Sequence, residues 1–152
     1  MIYLVLVAIN MLTAQLDHNW LWGGLRLACT SGTFYLLFRA IVRHSFFKAN
    51  VPQLDRTMAG ISGYLLLGLF WFLQFTVSSE IQHDAVYNQI LETAASPTDQ
   101  LYFSFVTLTT LGYGDIIPSS QLAKVITIFT SLSGVLYISV FVAALVSKNT
   151  AK

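Results

Sequence analysis

Charge is scarce in this chain. Only 10% of its 152 residues are Asp, Glu, Lys or Arg, against about a quarter in ordinary soluble domains, while 55% are hydrophobic. That composition excludes an ordinary soluble domain and marks an integral membrane protein. Cys29 is the single cysteine, so an intrachain disulfide is excluded and a small buried side chain is the plain reading. The three histidines are scattered, and no group of His, Cys and carboxylates has the spacing of a metal site. Ser104 has no evident base partner, and Gly112 to Gly114 lacks the context of a nucleotide-binding loop. Neither enzyme activity nor a cofactor is expected, and no nucleic-acid partner. Long polar stretches are missing too, which leaves one compact membrane module. One further absence is local: residues 79–99 hold Glu80, Asp84, Glu92 and Asp99 but neither Lys nor Arg.

What is present is a series of apolar segments. Residues 1–16 are apolar apart from Asn10, Thr13 and Gln15, yet shorter than the ~20 residues a crossing helix needs. A signal peptide is the rival reading, but no Lys or Arg precedes the apolar run and no convincing cleavage site follows it. A short or incomplete span is preferred. Asp17-His18-Asn19 then breaks the pattern, and Trp20 and Trp22 suit a membrane interface. Residues 20–43 have the length of a crossing, with Arg26 near one end and Arg39 and Arg43 at the other. A voltage sensor needs charges spaced through the membrane, and the middle of this segment has none. Arg39 and Arg43 are therefore read as positive-inside anchors. Pro52 interrupts the connection that follows, with Asp55 or Thr57 as the cap of the next helix. Residues 58–77 form an uncharged span in which Gly60, Gly63 and Gly68 allow close helix approach, although glycine is also common in membrane helices.

Charge asymmetry sets the orientation. The basic connection of residues 44–56 is expected inside, and the acidic residues 79–99 outside. Ser96-Pro97-Thr98-Asp99 then announces a helix: Ser96 as N-cap, Pro97 at the first position, and Asp99 completing a capping box. About 12 residues of helix reach only ~18 Å, too short for a ~30 Å hydrocarbon core, so this element is expected to be re-entrant. Pro118 ends the stretch after it. Ser119 or Ser120 caps a last helix of roughly 27 residues, long enough to cross at a tilt.

Between the short helix and Pro118 stands Thr107-Leu108-Thr109-Thr110-Leu111-Gly112-Tyr113-Gly114-Asp115. Its glycines fall at alternate positions. Glycine enters the left-handed region freely, and a backbone alternating between left- and right-handed conformations turns successive carbonyls to one side. Several such segments around an axis would stack rings of carbonyl oxygens able to replace the water around a cation. A chance glycine-rich turn is the bland alternative.

Thr110 to Asp115 reads TLGYGD, and this resembles the filter of the tetrameric potassium channels, usually written TVGYGD. The resemblance covers roughly residues 58–147 and implies an outer helix, a re-entrant pore helix, a selectivity filter and an inner helix. It also implies that K⁺ is held by the carbonyls of Thr110, Leu111, Gly112 and Tyr113 and by the Thr110 hydroxyl, with Gly114 completing the filter. Tyr102 and Phe103 stand where some members brace the filter tyrosine, and Asp115 lies at the outer mouth. Gly134 matches a hinge glycine, with a packing glycine as the plain alternative, and Val135, Ile138, Val142 and Val146 follow one stripe that by the same resemblance lines the inner cavity. Two departures stand out. Leu111 replaces the usual valine, and Val106 stands where certain members have a glutamate that shares a proton with the filter aspartate, so inactivation of that kind need not transfer.

The resulting expectation is an all-α integral membrane protein in which two N-terminal transmembrane segments (residues 1–44) precede a cytoplasmic connection (45–57), a pore module (58–148) and a cytoplasmic tail (149–152). It is expected to be multi-pass in the plasma (cell inner) membrane with both termini cytoplasmic, and to conduct K⁺ passively as a homotetramer with three further copies of itself, in contact with membrane lipids. A nonselective cation channel and a non-conducting interaction subunit are the alternatives.

Overall fold

The computed structural model describes residues 20–46, 52–82 and 84–149. The expectations for residues 1–19, Lys48, His83 and Lys152 lie outside the described residues, as do the side chains of Trp20, Trp22, Arg43, His44 and Lys148. Helix α1 spans Trp20–Phe46 and α2 spans Gln53–Ile81. Strands β1 (Val86–Asn88) and β2 (Thr93–Ala94) follow, then the short helix α3 (Pro97–Leu108), strand β3 (Ile116–Pro118) and helix α4 (Gln121–Asn149).

Two of these helices contain stretches long and apolar enough to cross a membrane, Leu54–Ile81 and Gln121–Val146. The residues expected as a second crossing do form one helix, α1, of 27 residues, although α1 is not among those two. Helix α2 starts ahead of the expected residue 58. Pro52, with φ −52° and ψ 148°, leads into it, and the Pro52 carbonyl accepts from the Arg56 N–H at 3.3 Å. Its N-terminus has no side-chain cap, so the cap expected from Asp55 or Thr57 is corrected. Proline's fixed φ already suits the entry to a helix, and polar residues can continue one beyond the apolar span.

The all-α expectation also needs correction. Among the described residues the chain is mostly helical but carries a three-stranded antiparallel sheet in the order β2-β1-β3. Val86 pairs with Pro118, and Asn88 with both Thr93 and Ile116. Pro118 lacks the N–H of a ladder donor, and it is tolerated because β3 is an edge strand. The Asn88 side chain supports the turn after β1 by accepting from the N–H groups of Ile90 and Leu91 at 3.0 and 3.1 Å.

Packing explains why the helices stay together. A Cβ at Gly60 would meet the Phe141 ring, at Gly63 the Tyr137 hydroxyl, and at Gly68 the Phe105 ring. The three glycines of α2 therefore admit bulky groups from α4 and α3, as the close-approach reading expects. Tyr137 then donates to the Gly60 carbonyl at 2.7 Å and the Trp71 indole to Ser133 Oγ at 2.8 Å, fixing α2 against α4. The apolar core lies between the end of α2, the sheet and the first turns of α3 and α4, around Phe75, Val86, Phe103, Ile116 and Ile126.

Candidate functional site

Residues 109–115 join the end of α3 to β3, and their geometry starts from the helix that carries them. Ser96 Oγ accepts from the Asp99 N–H at 3.2 Å, and the Asp99 carboxylate accepts from the Ser96 N–H at 3.0 Å. Pro97 occupies the first turn. The expected capping box is therefore formed. The Ser96 N–H first, then the Ser96 hydroxyl, hold the Asp99 carboxyl below the usual aspartate range, with a smaller contribution from Asn88. At 12 residues, α3 reaches about 18 Å at ~1.5 Å per residue, too short to cross.

At its other end α3 unwinds in an ordered way. The carbonyl of Val106 accepts from the N–H of Leu111 at 2.9 Å and more loosely from that of Gly112 at 3.4 Å, while Thr107 accepts from the N–H of Thr110 at 3.0 Å. Two side chains from neighbouring helices reach the same turn: Tyr64 donates to the Leu108 carbonyl and Ser131 to the Thr107 carbonyl, each at 3.4 Å.

The segment beyond has the expected alternation. Thr110, Gly112 and Gly114 take φ of 59°, 55° and 83°, so every second residue lies in the left-handed region. Glycine does this at little cost; Thr110 is strained, and its hydroxyl bonds to the Thr109 carbonyl at 2.6 Å. Among the described residues, no hydrogen bond ends on the carbonyls of Thr110, Leu111, Gly112 or Tyr113. Four successive acceptors are thus left available on a stretch whose residues are all exposed in the single chain. Asp115 ends the series, because its carbonyl accepts from the Gln89 N–H at 2.9 Å.

The surrounding candidates are divided by the fold. Tyr102 lies beside Asp115 and Tyr113, close enough for its hydroxyl to interact with the Asp115 carboxylate. Phe103 instead turns into the core and meets Phe75 edge-on, with ring centroids 4.9 Å apart. Of these two aromatics, Tyr102 is the one beside residues 113–115 within a single chain. Gly134 sits under the end of α3, where a Cβ would collide with the Leu108 carbonyl. Val135, Ile138, Val142 and Val146 are exposed on α4. Sequence reasoning misses the sheet that ties Asp115 to the β1–β2 hairpin; Ile116-Ile117 next to Pro118 is its sequence signal, a β-branched pair ending at an edge-strand proline.

This segment lies within the part of the chain that a known family matches. A family model described as "Ion channel" matches residues 61–151. "Two-pore potassium channel 4" of Arabidopsis thaliana is 43% identical over 49 residues, covering 32% of this chain and 17% of that protein. "Uncharacterized membrane protein YdjJ" of Bacillus subtilis (strain 168) is 36% identical over 81 residues, covering 53% and 24%. "Two pore potassium channel c" of Oryza sativa subsp. japonica is 33% identical over 87 residues, covering 55% and 19%. The matched regions thus span about a quarter or less of these relatives' own lengths. No solved structure gives a significant match.

Proposed function

The chain belongs to the ion-channel family whose model spans its residues 61–151, a channel and not an enzyme, and from that premise we propose that it is a potassium-selective channel subunit. The observation that carries the proposal is the alternation of left-handed backbone at Thr110, Gly112 and Gly114 in a TLGYGD segment whose carbonyls from Thr110 to Tyr113 accept no hydrogen bond among the described residues. Carbonyl dipoles in this arrangement suit a dehydrated monovalent cation. One such loop cannot ring an ion, so the working unit is a homotetramer, in which the exposed face of residues 110–114 is turned to a shared axis.

In this reading α1, α2 and α4 lie in the plasma membrane and α3 re-enters it from outside. The connection before α2 is cytoplasmic and the sheet is external, as the distribution of basic and acidic residues supports. The last carbonyls of α3 face inward and favour a cation below the filter. Val135, Ile138, Val142 and Val146 line the cavity beneath. K⁺ moves passively, with no cofactor.

The deciding measurement is flux of K⁺ and Na⁺ into liposomes holding the purified protein. Flux of K⁺ well above Na⁺ is expected. Equal flux would favour a nonselective cation channel, and tetramers silent across pH, voltage and lipid composition a non-conducting subunit. Replacing Tyr113 by Asp is predicted to weaken the preference for K⁺ over Na⁺, read as a shift of reversal potential in mixed-ion bilayers; an unchanged potential would count against the role of Tyr113.

A further inference from the structure

Helix α1 lies wholly outside the family match, which starts at residue 61. It is nevertheless joined to α2 by polar contacts set into an apolar interface. Phe34 stacks on Phe70 with centroids 4.1 Å apart. Toward the sheet end, Gln74 Nε2 donates to Thr30 Oγ1 at 2.9 Å, both residues being buried, and Thr30 in turn donates to the Arg26 carbonyl at 2.9 Å. Beyond that pair, Arg26 forms an ion pair with Glu80. The residue before Glu80 continues the connection: Ser79 Oγ accepts from Gln100 Nε2 at 3.3 Å. Gln100 is only 5% exposed and also donates to the Ala95 carbonyl at 3.0 Å.

Apolar stacking holds two helices together at several neighbouring registers. A charge pair with one mostly buried member does not, because sliding either helix leaves the Arg26 guanidinium, with its side chain 18% exposed, without its partner. The Arg26–Glu80 pair and the Thr30–Gln74 bond therefore select one register of α1 on α2. Through Ser79 that register reaches Gln100, one of the first residues of α3. At the far end of α3, Val106 holds the amides of Leu111 and Gly112, so a change in the seating of the helix is carried to the filter.

We propose that α1 positions the outer pore: Arg26, through Glu80 and the adjoining Ser79, holds Gln100 and with it the helix that carries residues 110–114. Arg26 is thus a positioning residue, and its effect on conduction rests on the reading of those residues as a K⁺ filter.

The test uses the full chain in lipid, with amide hydrogen exchange over residues 97–104 and K⁺ flux measured on the same samples. Arg26→Gln and Ser79→Ala are expected to speed exchange in the first turns of α3 by roughly 3- to 30-fold and to lower flux. Arg26→Lys should keep both near wild type, and the double exchange R26E/E80R should restore most of what either single reversal loses, which loss of packing alone would not do. Unchanged exchange in Arg26→Gln would overturn the proposal, as would a Lys variant as impaired as the Gln variant. Should Arg26→Gln fail to assemble, Glu80→Gln and Ser79→Ala decide it on the same exchange readout. A wild-type protein that passes no K⁺ would sink the channel reading instead, while exchange would still decide whether α1 positions α3.

Discussion

Thr110, at φ 59°, and Gly112, at φ 55°, share a backbone conformation but differ in what it costs them. An L-residue in the left-handed region costs roughly 1–2 kcal/mol, and Thr110 already bears this, while Gly112 avoids it. A Cβ at Gly112 would meet nothing within 4 Å in the single chain, so an alanine there acts through the backbone rather than by intrachain collision. With about 1.4 kcal/mol per tenfold change, Gly112→Ala is predicted to reduce K⁺ flux about tenfold or more while leaving the circular dichroism of the helices unchanged; wild-type flux would refute the argument. Gly134 presents the opposite case. Its conformation is ordinary, but an added Cβ meets the Leu108 carbonyl, a backbone atom that cannot swing aside. Gly134→Ala should destabilise the protein by ~1–3 kcal/mol as overpacking does, seen as a lower thermal midpoint. A hinge role for Gly134 predicts instead an unchanged midpoint with altered opening.

At the scale of elements, α3 is short and depends on its ends. Removing the cap with Ser96→Ala should cost about 1 kcal/mol, measurable in thermal unfolding. The partner carboxylate makes the cap pH-sensitive. Because the Asp99 carboxyl is held below its ordinary value of 3.8, its contribution is fully present above that value and is lost as pH falls through the lowered one. Acid titration of the thermal midpoint should show this loss in the wild type and not in Asp99→Asn; identical acid slopes would exclude the cap as the cause. This helix was legible in advance, since its start signals are neighbours: Ser96, Pro97 and Asp99 act within one turn. The alternating segment was legible for the same reason. The sheet was not, because its strands have only 3, 2 and 3 residues and gain their meaning from pairing with distant ones. Nor was the inward turn of Phe103, which is decided by Phe75 on another helix. The pairing of Arg26 with Glu80, 54 positions away, follows from how α1 lies on α2, which no local pattern specifies.

For the whole molecule, the sheet is joined to residues 110–115, because Gln89 donates to the residue that ends the carbonyl series, and in the proposed reading the two share the outer surface. Asp84 and Glu92 are exposed on that surface. Repeated around a tetramer, they would raise the local concentration of cations at the entrance, an effect confined to about one Debye length, near 10 Å at 0.1 M salt and 3 Å at 1 M. The substitutions Asp84→Asn and Glu92→Gln remove charge with little change of shape. At Asp84, whose φ is 59°, asparagine tolerates the left-handed region as well as aspartate does. At Glu92, with φ 52°, glutamine inherits the same strain rather than adding any. The double variant should therefore fold like the wild type and differ in its field. Single-channel conductance is predicted to fall by roughly twofold at ~0.01 M K⁺, where the Debye length is ~30 Å, and to match the wild type near 1 M. A deficit that persists at high salt would point to altered loop geometry, and equal conductance at both salts would show that these carboxylates lie too far from the ion path to act on it.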